Sequence, residues 1–343
     1  MLTNKLMPKV NVPNTDYQMK MVPGMSKSGY LDPNAKKELI DMQKPKDPNE
    51  KQPTTMAEVR KTLGWKTAHH DCQNKLEIVN TTIKGVPVRM YVQETAKDET
   101  LPVILFIHGG GFFGGDLDNV EYPCEALADF EKLRVVSVDY SLAPENPYPQ
   151  DVIDCYQVLN YLGQNKADMK VSDITVMGDS AGGNLTYVLS LLDRQAGTNY
   201  IDKAVSLYPV TYLGTGRPEL RPLTPICIKD DNPESIKAYL GSFQSDSTVH
   251  NTYVDKSDPE SMYLSPLNAP EELLKKLPKT LFMVGEFDPL RLQGEAFYNK
   301  MKLAGGDITY IRYNGMIHAF MDKVGDFPQA DDAMLETMKF VLE

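Results

Sequence analysis

A serine flanked by glycines lies between a strand-like run and a helix-like run, and this arrangement constrains the fold more than any other feature of the chain. Residues 178–183 read Gly-Asp-Ser-Ala-Gly-Gly, with an apolar run at 174–177 before them and a helical pattern at 185–192 after them. Glycines two positions away on each side let Ser180 occupy a sharp, strained strand-to-helix turn that exposes its hydroxyl. The pattern predicts a nucleophilic serine, although a plain Gly-Ser turn without chemistry would read the same way in isolation.

A second glycine-rich loop follows another apolar run. His108 and three consecutive glycines come directly after residues 103–107. A serine attacking an acyl carbonyl creates an oxyanion that needs preplaced N–H donors. Glycines allow the main chain to approach the reacting group closely, so we expect the amides of Gly109, Gly110 and Ala181 to form an oxyanion hole. A phosphate-binding turn is disfavoured because neither G-x-G-x-x-G nor a following Lys-Ser/Thr is present, and His108 is predicted to brace the loop.

The catalytic base must come from one of five histidines. His69 and His70 lie in a polar N-terminal segment, and His250 lies in a polar stretch expected at the surface. His318 follows the strand-like run 308–312, so it can reach over the end of a sheet towards the serine. We therefore predict that His318 is the base.

An acid is needed to orient that histidine and to stabilise its charged form. Asp288 follows the apolar run 281–284, and Glu286 competes with it for this role. Taken alone, Asp288 would read as a turn or capping residue. The chain order Ser180, Asp288, His318 is the order that the α/β-hydrolase arrangement requires, and it favours Asp288.

These motifs together resemble the hormone-sensitive-lipase-like family of α/β-hydrolases, which includes carboxylesterases and acetyl esterases. The matching stretches are 108–111, 139–145 with 147–149, 178–183, 265–267, 288–290 and His318. The resemblance runs from about residue 75 to the last residue. It implies an α/β fold with a mostly parallel eight-stranded sheet flanked by helices, a helical cap, and ester hydrolysis without a cofactor. One departure is Ala319, because the family usually has glycine after the histidine.

The order of strand-like and helix-like runs agrees with that fold. A hairpin is predicted over 76–94, and alternation of strands with helices calls for a parallel sheet. Further strands are predicted at 103–107, 135–138, 174–177, 204–208, 281–284 and 308–312. We expect residues 76–343 to form the catalytic domain, with a cap insertion at about 212–262. Residues 1–75, with short helices at 33–42 and 55–63 and with Trp65, are expected to contribute to the cap.

Apolar residues near the motifs are candidates for the walls of a substrate pocket. They are Phe112, Phe113, Tyr208, Leu213, Leu290 and Ile317. The chain shows no wide apolar surface helix of the kind that would dock on a lipid interface. We therefore expect short-to-medium acyl esters rather than triglycerides.

Composition narrows the class of partner. A net charge of −11 argues against nucleic acid and against anionic membrane surfaces, both of which favour basic patches. The four cysteines form no C-x-x-C pair, so neither a zinc site nor a disulfide framework is expected. With no signal peptide or membrane span in view, we expect a cytoplasmic enzyme that binds a small-molecule ester and no metal or cofactor. A homodimer through edge strands or the cap stays open.

Two other functional classes are compatible with the motifs. One is a non-catalytic small-molecule-binding protein on the same fold, as in gibberellin receptors, which resemble this family but lack the catalytic histidine. The other is a serine peptidase or amidase, which usually carries a different oxyanion element. His318 argues against the first class, and the glycine loop at 108–111 argues against the second.

Overall fold

A single mixed sheet organises the molecule. The computed structural model describes residues 6–11, 16–44, 53–62, 70–220, 226–245 and 247–343, and within these residues ten strands pair in the order β1-β2-β10-β9-β8-β7-β5-β6-β4-β3. The strands are β1 (Lys9–Asn11), β2 (Gln18–Lys20), β3 (Leu76–Ile83), β4 (Val86–Gln93), β5 (Leu101–Ile107), β6 (Arg134–Val138), β7 (Val171–Asp179), β8 (Lys203–Leu207), β9 (Lys279–Gly285) and β10 (Ile308–Tyr313).

The eight predicted strands are all present, and two short strands extend the sheet at one edge. The pairs from β2 through β10, β9, β8, β7 and β5 to β6 are parallel, whereas β6–β4, β4–β3 and β1–β2 are antiparallel. The additional strands come from the N-terminal segment, where Gln18–Lys20 pairs with the edge of β10. Strands of three residues are too short to show a periodicity in the sequence, and they were therefore not predicted. What determines their position is the exposed edge of β10, which they cover.

Helices cover both faces of this sheet, as a parallel sheet requires. They are α1 (Pro33–Met42), α2 (Met56–Thr62), α3 (Glu121–Phe130), α4 (Gln150–Gln164), α5 (Ser180–Ala196), α6 (Pro233–Ser245), α7 (Glu271–Leu274), α8 (Arg291–Leu303) and α9 (Pro328–Leu342). The helix predicted at 33–42 is present, with Asp32 capping it through a 2.8 Å hydrogen bond from the amide of Asn34. The second predicted helix is present over Met56–Thr62, while residue 63 and Trp65 lie outside the described residues.

The central strands are buried on both faces, which explains their continuous apolar runs. In β5 every residue except Pro102 is buried, and in β9 every residue after Lys279 is buried. Helix α5 packs against β7 and β8 and is itself buried along most of its length. None of the described helices combines the length and apolarity that a bilayer crossing requires.

Two segments outside the sheet pack beside the C-terminal ends of its strands. Helix α1, from the N-terminal segment, contacts α6, which belongs to the long connection between β8 and β9. Arg60 of α2 donates hydrogen bonds to the carbonyl oxygens of Phe113, at 2.6 Å, and Ala143, at 2.7 Å. The N-terminal segment therefore supports the loop that follows β5.

Candidate active site

Ser180 occupies the turn between β7 and α5. Its φ is +50°, in the left-handed region that non-glycine residues rarely adopt. A Cβ on Gly178 would overlap the carbonyl of Gly182, and one on Gly182 would overlap the carbonyl of Ile107 in β5. Both flanking positions therefore require glycine, because the first turn of α5 passes directly over the neighbouring strand ends.

Three predicted residues meet at the C-terminal edge of the sheet. Nε2 of His318 lies 2.9 Å from Oγ of Ser180, and Nδ1 of His318 lies 2.8 Å from Oδ2 of Asp288. Asp288 is fully buried, and its Oδ1 accepts a 2.7 Å hydrogen bond from the amide of Leu290. The amide of His318 donates to the hydroxyl of Tyr239 in α6 at 3.1 Å. The serine, the imidazole and the carboxylate thus form a continuous hydrogen-bonded chain.

Glu286, the competing acid, has a different set of partners. Its Oε1 accepts a hydrogen bond from the amide of Gly29 at 2.9 Å, and its Oε2 accepts one from the amide of Gly315 at 3.0 Å. Burial raises the pKa of this carboxyl. Glu286 therefore ties the N-terminal segment to the loop that carries His318, and it does not contact the imidazole.

His108 lies beneath the glycine loop and is fully buried. Its ring stacks on Tyr140 with centroids 4.3 Å apart, and its Nδ1 lies 2.7 Å from the carbonyl oxygen of Gly109. The hydroxyl of Tyr140 donates to the His108 carbonyl at 2.9 Å. Burial lowers the pKa of His108, so the ring stays neutral. These contacts are those of a residue that braces the loop.

One of the three amides expected to form the oxyanion hole has another partner in the structure. The amide of Gly109 donates to Oδ1 of Asp179 at 2.8 Å, so it is already occupied and the expectation for this residue needs correction. Ala181 is the second residue of α5, where amides have no intrahelical acceptor. In the described part of the chain, no protein acceptor takes the amides of Gly110 or Gly111, and both residues line the same cavity as Ser180. Gly110, Gly111 and Ala181 are therefore the available donors.

A cavity of about 770 Å³ opens in front of Ser180. Four of the predicted wall residues line it: Phe112, Phe113, Leu213 and Leu290. Tyr208 and Ile317 do not line it, and the predictions for them were wrong. Tyr208 is fully buried, with its ring edge-on to His318 at 4.8 Å between centroids, and Ile317 is 2% exposed within the core. Both side chains belong to the hydrophobic core and not to the cavity wall.

Several wall residues carry no motif in the sequence. His250, expected at the surface, is half-buried in the wall of the cavity, and Phe243 of α6 has its ring 5.3 Å from that of His318. A second cavity of about 300 Å³ lies between α1 and α6, and it shares Ser242, Phe243 and His318 with the first. Asp322, just after the histidine, is a further wall residue. Only the 3.6-residue periodicity of α6 could have indicated that Phe243 lies on the same helix face as the buried Ile236 and Leu240.

One group of potential metal ligands lies away from this cavity. His70, Cys72 and Asp129 have ligand atoms within 4.8 Å of one another. Asp129 already accepts hydrogen bonds from the amides of Gln73, at 2.9 Å, and Asn74, at 2.7 Å. These bonds hold the turn that precedes β3 against α3. They explain the proximity of the three side chains without a metal ion.

Comparison with known proteins agrees with this fold. The family model described as the α/β hydrolase fold matches residues 104–322. Carboxylesterase NlhH of Mycobacterium tuberculosis is 32% identical over 256 residues, covering 73% of this chain and 76% of the relative. A putative α/β hydrolase of Acanthamoeba polyphaga mimivirus, R526, is 27% identical, covering 85% of this chain and 81% of the relative.

Solved structures show the same architecture. A thermostable esterase from Pseudomonas putida ECU1011 superposes with a TM-score of 0.74 at 26% identity, covering 93% of this chain and 99% of that one. An esterase from Pyrobaculum calidifontis superposes with a TM-score of 0.72 at 28% identity, covering 91% and 98%. The chain therefore belongs to the hormone-sensitive-lipase-like family of α/β-hydrolases.

Proposed function

We propose that this protein is a serine carboxylesterase that hydrolyses short-to-medium acyl esters through a Ser180-His318-Asp288 triad. Ester hydrolysis follows from its carboxylesterase and esterase relatives. The observation that supports the residue assignment is the hydrogen-bonded chain, at 2.9 Å and 2.8 Å, that joins the serine, the imidazole and the buried carboxylate.

The proposed mechanism uses each group in turn. His318 takes the proton of Ser180 as its Oγ attacks the acyl carbonyl, and Asp288 keeps the ring oriented and stabilises the imidazolium. The amides of Gly110, Gly111 and Ala181 hold the oxyanion. His318 then protonates the leaving alcohol. Water, deprotonated by the same imidazole, attacks the acyl-enzyme, and a second oxyanion collapses to release the acid and free Ser180.

The cavity supports the substrate range. Its volume of about 770 Å³ and its aromatic and aliphatic walls suit a small ester with a modest acyl group. We propose that residues 1–75 and the insertion at about 212–262 together form the cap. Helices α1 and α6, which pack on each other and border the second cavity, support this division.

The two alternative classes are less well supported. A non-catalytic binder would not need the base, yet His318 is present and lies within hydrogen-bonding distance of Ser180. A peptidase or amidase would be distinguished by comparing the rates on matched ester and amide substrates.

The location and the oligomeric state of the protein are separate questions. All four cysteines are free of disulfide bonds, which supports a reducing compartment such as the cytoplasm. Analytical ultracentrifugation would measure whether the protein forms a dimer through the β3 edge of the sheet.

Hydrolysis of p-nitrophenyl esters of graded acyl length, beside matched anilides, tests the proposal. Wild type is expected to peak between acetate and octanoate and to leave the anilides nearly untouched. Ser180→Ala and His318→Ala should each lower kcat by about 10⁵-fold or more. The control is Ser190→Ala in the same helix, whose hydroxyl donates to the carbonyl of Thr186 at 2.7 Å and which should keep its rate. Turnover retained by Ser180→Ala would show that the nucleophile is wrong, and a maximum at long acyl chains would indicate a lipase.

A further inference from the structure

A second acidic side chain shares the cavity with the nucleophile. Asp322 lies in the short helical turn Phe320–Lys323, directly after the loop that carries His318. It is only 5% exposed, and it lines the same cavity as Ser180 and Asp179. Its backbone amide is used, because it donates to the carbonyl of Ala319 at 3.2 Å.

Within the described residues, the carboxyl group of Asp322 has no hydrogen-bonding partner from the protein. Across the described ranges, no hydrogen bond or ion pair reaches its oxygens, although the adjacent Lys323 would be an obvious candidate. That lysine pairs instead with Glu38 of α1, at 2.8 Å. Buried carboxyl groups are nearly always hydrogen-bonded, because an unpaired one loses its hydration without compensation. The oxygens of the Asp322 carboxyl group are therefore available to a substrate that binds in the cavity.

Asp179 places a second acidic side chain beside Asp322. It also lines the cavity, but its Oδ1 is satisfied by the amide of Gly109. Burial, followed by the charge of Asp179, raises the pKa of Asp322 well above its ordinary value, and burial raises the pKa of Asp179 to about 6. Among the described residues, Arg217 is the lysine or arginine side chain that lines this cavity, and its guanidinium donates to Oδ1 of Asn268 at 2.9 Å.

We propose that Asp322 determines substrate specificity by selecting esters whose acyl or alcohol part carries a hydrogen-bond donor, either a hydroxyl or an ammonium group. The inference rests on the proposed function and names the substrate class of that same site. A substrate hydroxyl would hydrogen-bond to the neutral carboxyl. A substrate ammonium would pair with the carboxylate, whose proton would pass to solvent.

Isosteric ester pairs test this proposal directly. On the alcohol side, 2-hydroxyethyl butyrate is compared with propyl butyrate, and 2-(dimethylammonio)ethyl butyrate with 3-methylbutyl butyrate. On the acyl side, p-nitrophenyl 3-hydroxybutyrate is compared with p-nitrophenyl 3-methylbutyrate. The quantity measured is the ratio of kcat/KM for the polar member to that for the apolar member. The variants are Asp322→Leu and Asp322→Asn, with the exposed Asp326→Asn as the control.

We expect wild type to favour the polar member in at least one pair, and Asp322→Leu to lower that ratio by about 10- to 100-fold, chiefly through loss of kcat/KM on the polar member. Asp322→Asn should keep the hydroxyl preference and lose the ammonium preference, which also covers the case in which the leucine variant does not fold. Equal ratios in wild type and in the variants, or an equal loss on both members, would overturn the proposal. If wild type hydrolyses no ester at all, the proposed function itself has failed.

Discussion

The carboxylate of Asp179 accepts a 2.8 Å hydrogen bond from the amide of Gly109, and this bond joins the residue before Ser180 to the glycine loop. Asp179 ends β7, while Gly109 follows β5, the neighbouring parallel strand. A Cβ on Gly109 would collide with the Asp179 carboxylate. The loop that presents Gly110 and Gly111 is thereby positioned relative to Ser180 by a side chain within the serine motif.

Removing this carboxylate should therefore impair the transition state more than substrate binding. We expect Asp179→Ala to lower kcat by about 10- to 100-fold with little change in KM, because misplaced oxyanion donors act only once charge develops. Asp179→Asn retains an acceptor oxygen and should recover much of the rate. Steady-state kinetics on p-nitrophenyl butyrate provide the measurement, and an unchanged kcat in the alanine variant would contradict the positioning role.

Phe243 separates two cavities that both reach His318. Its side chain is 43% exposed, and it lines the 770 Å³ cavity and the 300 Å³ cavity together with Ser242 and His318. Phe243→Ala should join the two spaces and raise the octanoate-to-butyrate ratio of kcat/KM about 10-fold, which corresponds to burying about two of the additional methylenes at about 0.8 kcal/mol each. Ile40→Ala, an exposed residue of α1 that lines neither cavity, is the control. The same ratio in all three proteins would mean that the ring does not limit acyl length.

Ala319 occupies a backbone conformation that glycine adopts more readily. Its φ is +60°, which explains why the family usually has glycine after the histidine. We expect Ala319→Gly to stabilise the fold by up to about 1 kcal/mol, because the left-handed penalty for a Cβ exceeds the entropy that glycine adds to the unfolded chain. Ala304→Gly, at a φ of −69°, should instead destabilise it by about 0.5–1 kcal/mol. Urea unfolding of both variants measures these free energies, and a destabilised Ala319→Gly would refute the argument.

Asp151, in the first turn of α4, should make stability depend on pH. Its Oδ1 accepts the amide of Val152 at 2.8 Å, and burial raises its pKa to about 7 against the opposing effects of the Tyr253 hydroxyl and of this amide. The folded protein therefore holds a proton that the unfolded chain releases near pH 3.8. This contribution is complete below that pH and is lost as the pH rises through 7.

Wild type should accordingly lose roughly 1–4 kcal/mol more unfolding free energy between pH 5 and pH 8 than Asp151→Asn does. Urea unfolding across that range measures the difference. Asp173→Asn, at an exposed position of β7, is the control and should follow wild type. Parallel pH profiles for all three proteins would show that Asp151 is not the titrating group.

Local pattern was enough to predict the strands and the residues that lie at their ends. Ser180, Asp288 and His318 each follow an apolar run, so the topology of a parallel sheet brings them to one edge. Glu286 and Asp288 are two residues apart, and their roles are distinguished by the contact of Asp288 with His318 and by those of Glu286 with Gly29 and Gly315. Those contacts join distant parts of the chain and leave no local signal.

The walls of the cavity were harder to predict, for the same physical reason. Tyr208 and Ile317 are apolar residues beside the motifs, but the direction of each side chain depends on packing that the local sequence does not encode. Phe243 and Asp322 lie in segments without a motif and become wall residues only when the long insertion and the histidine loop pack together. The hydrogen bond from the Gly109 amide to Asp179 likewise depends on the spacing between β5 and β7.

The sheet and the segments packed on it hold different parts of the site, and this separation is useful for engineering. Ser180 and its hydrogen-bonded partners are held by strand ends, whereas Phe243 and the α1 residues that border the smaller cavity lie outside the sheet. Libraries confined to α1 and α6 would therefore sample new substrate ranges while leaving the proposed triad intact. The exception is Tyr239, whose hydroxyl accepts the His318 amide and should be kept constant.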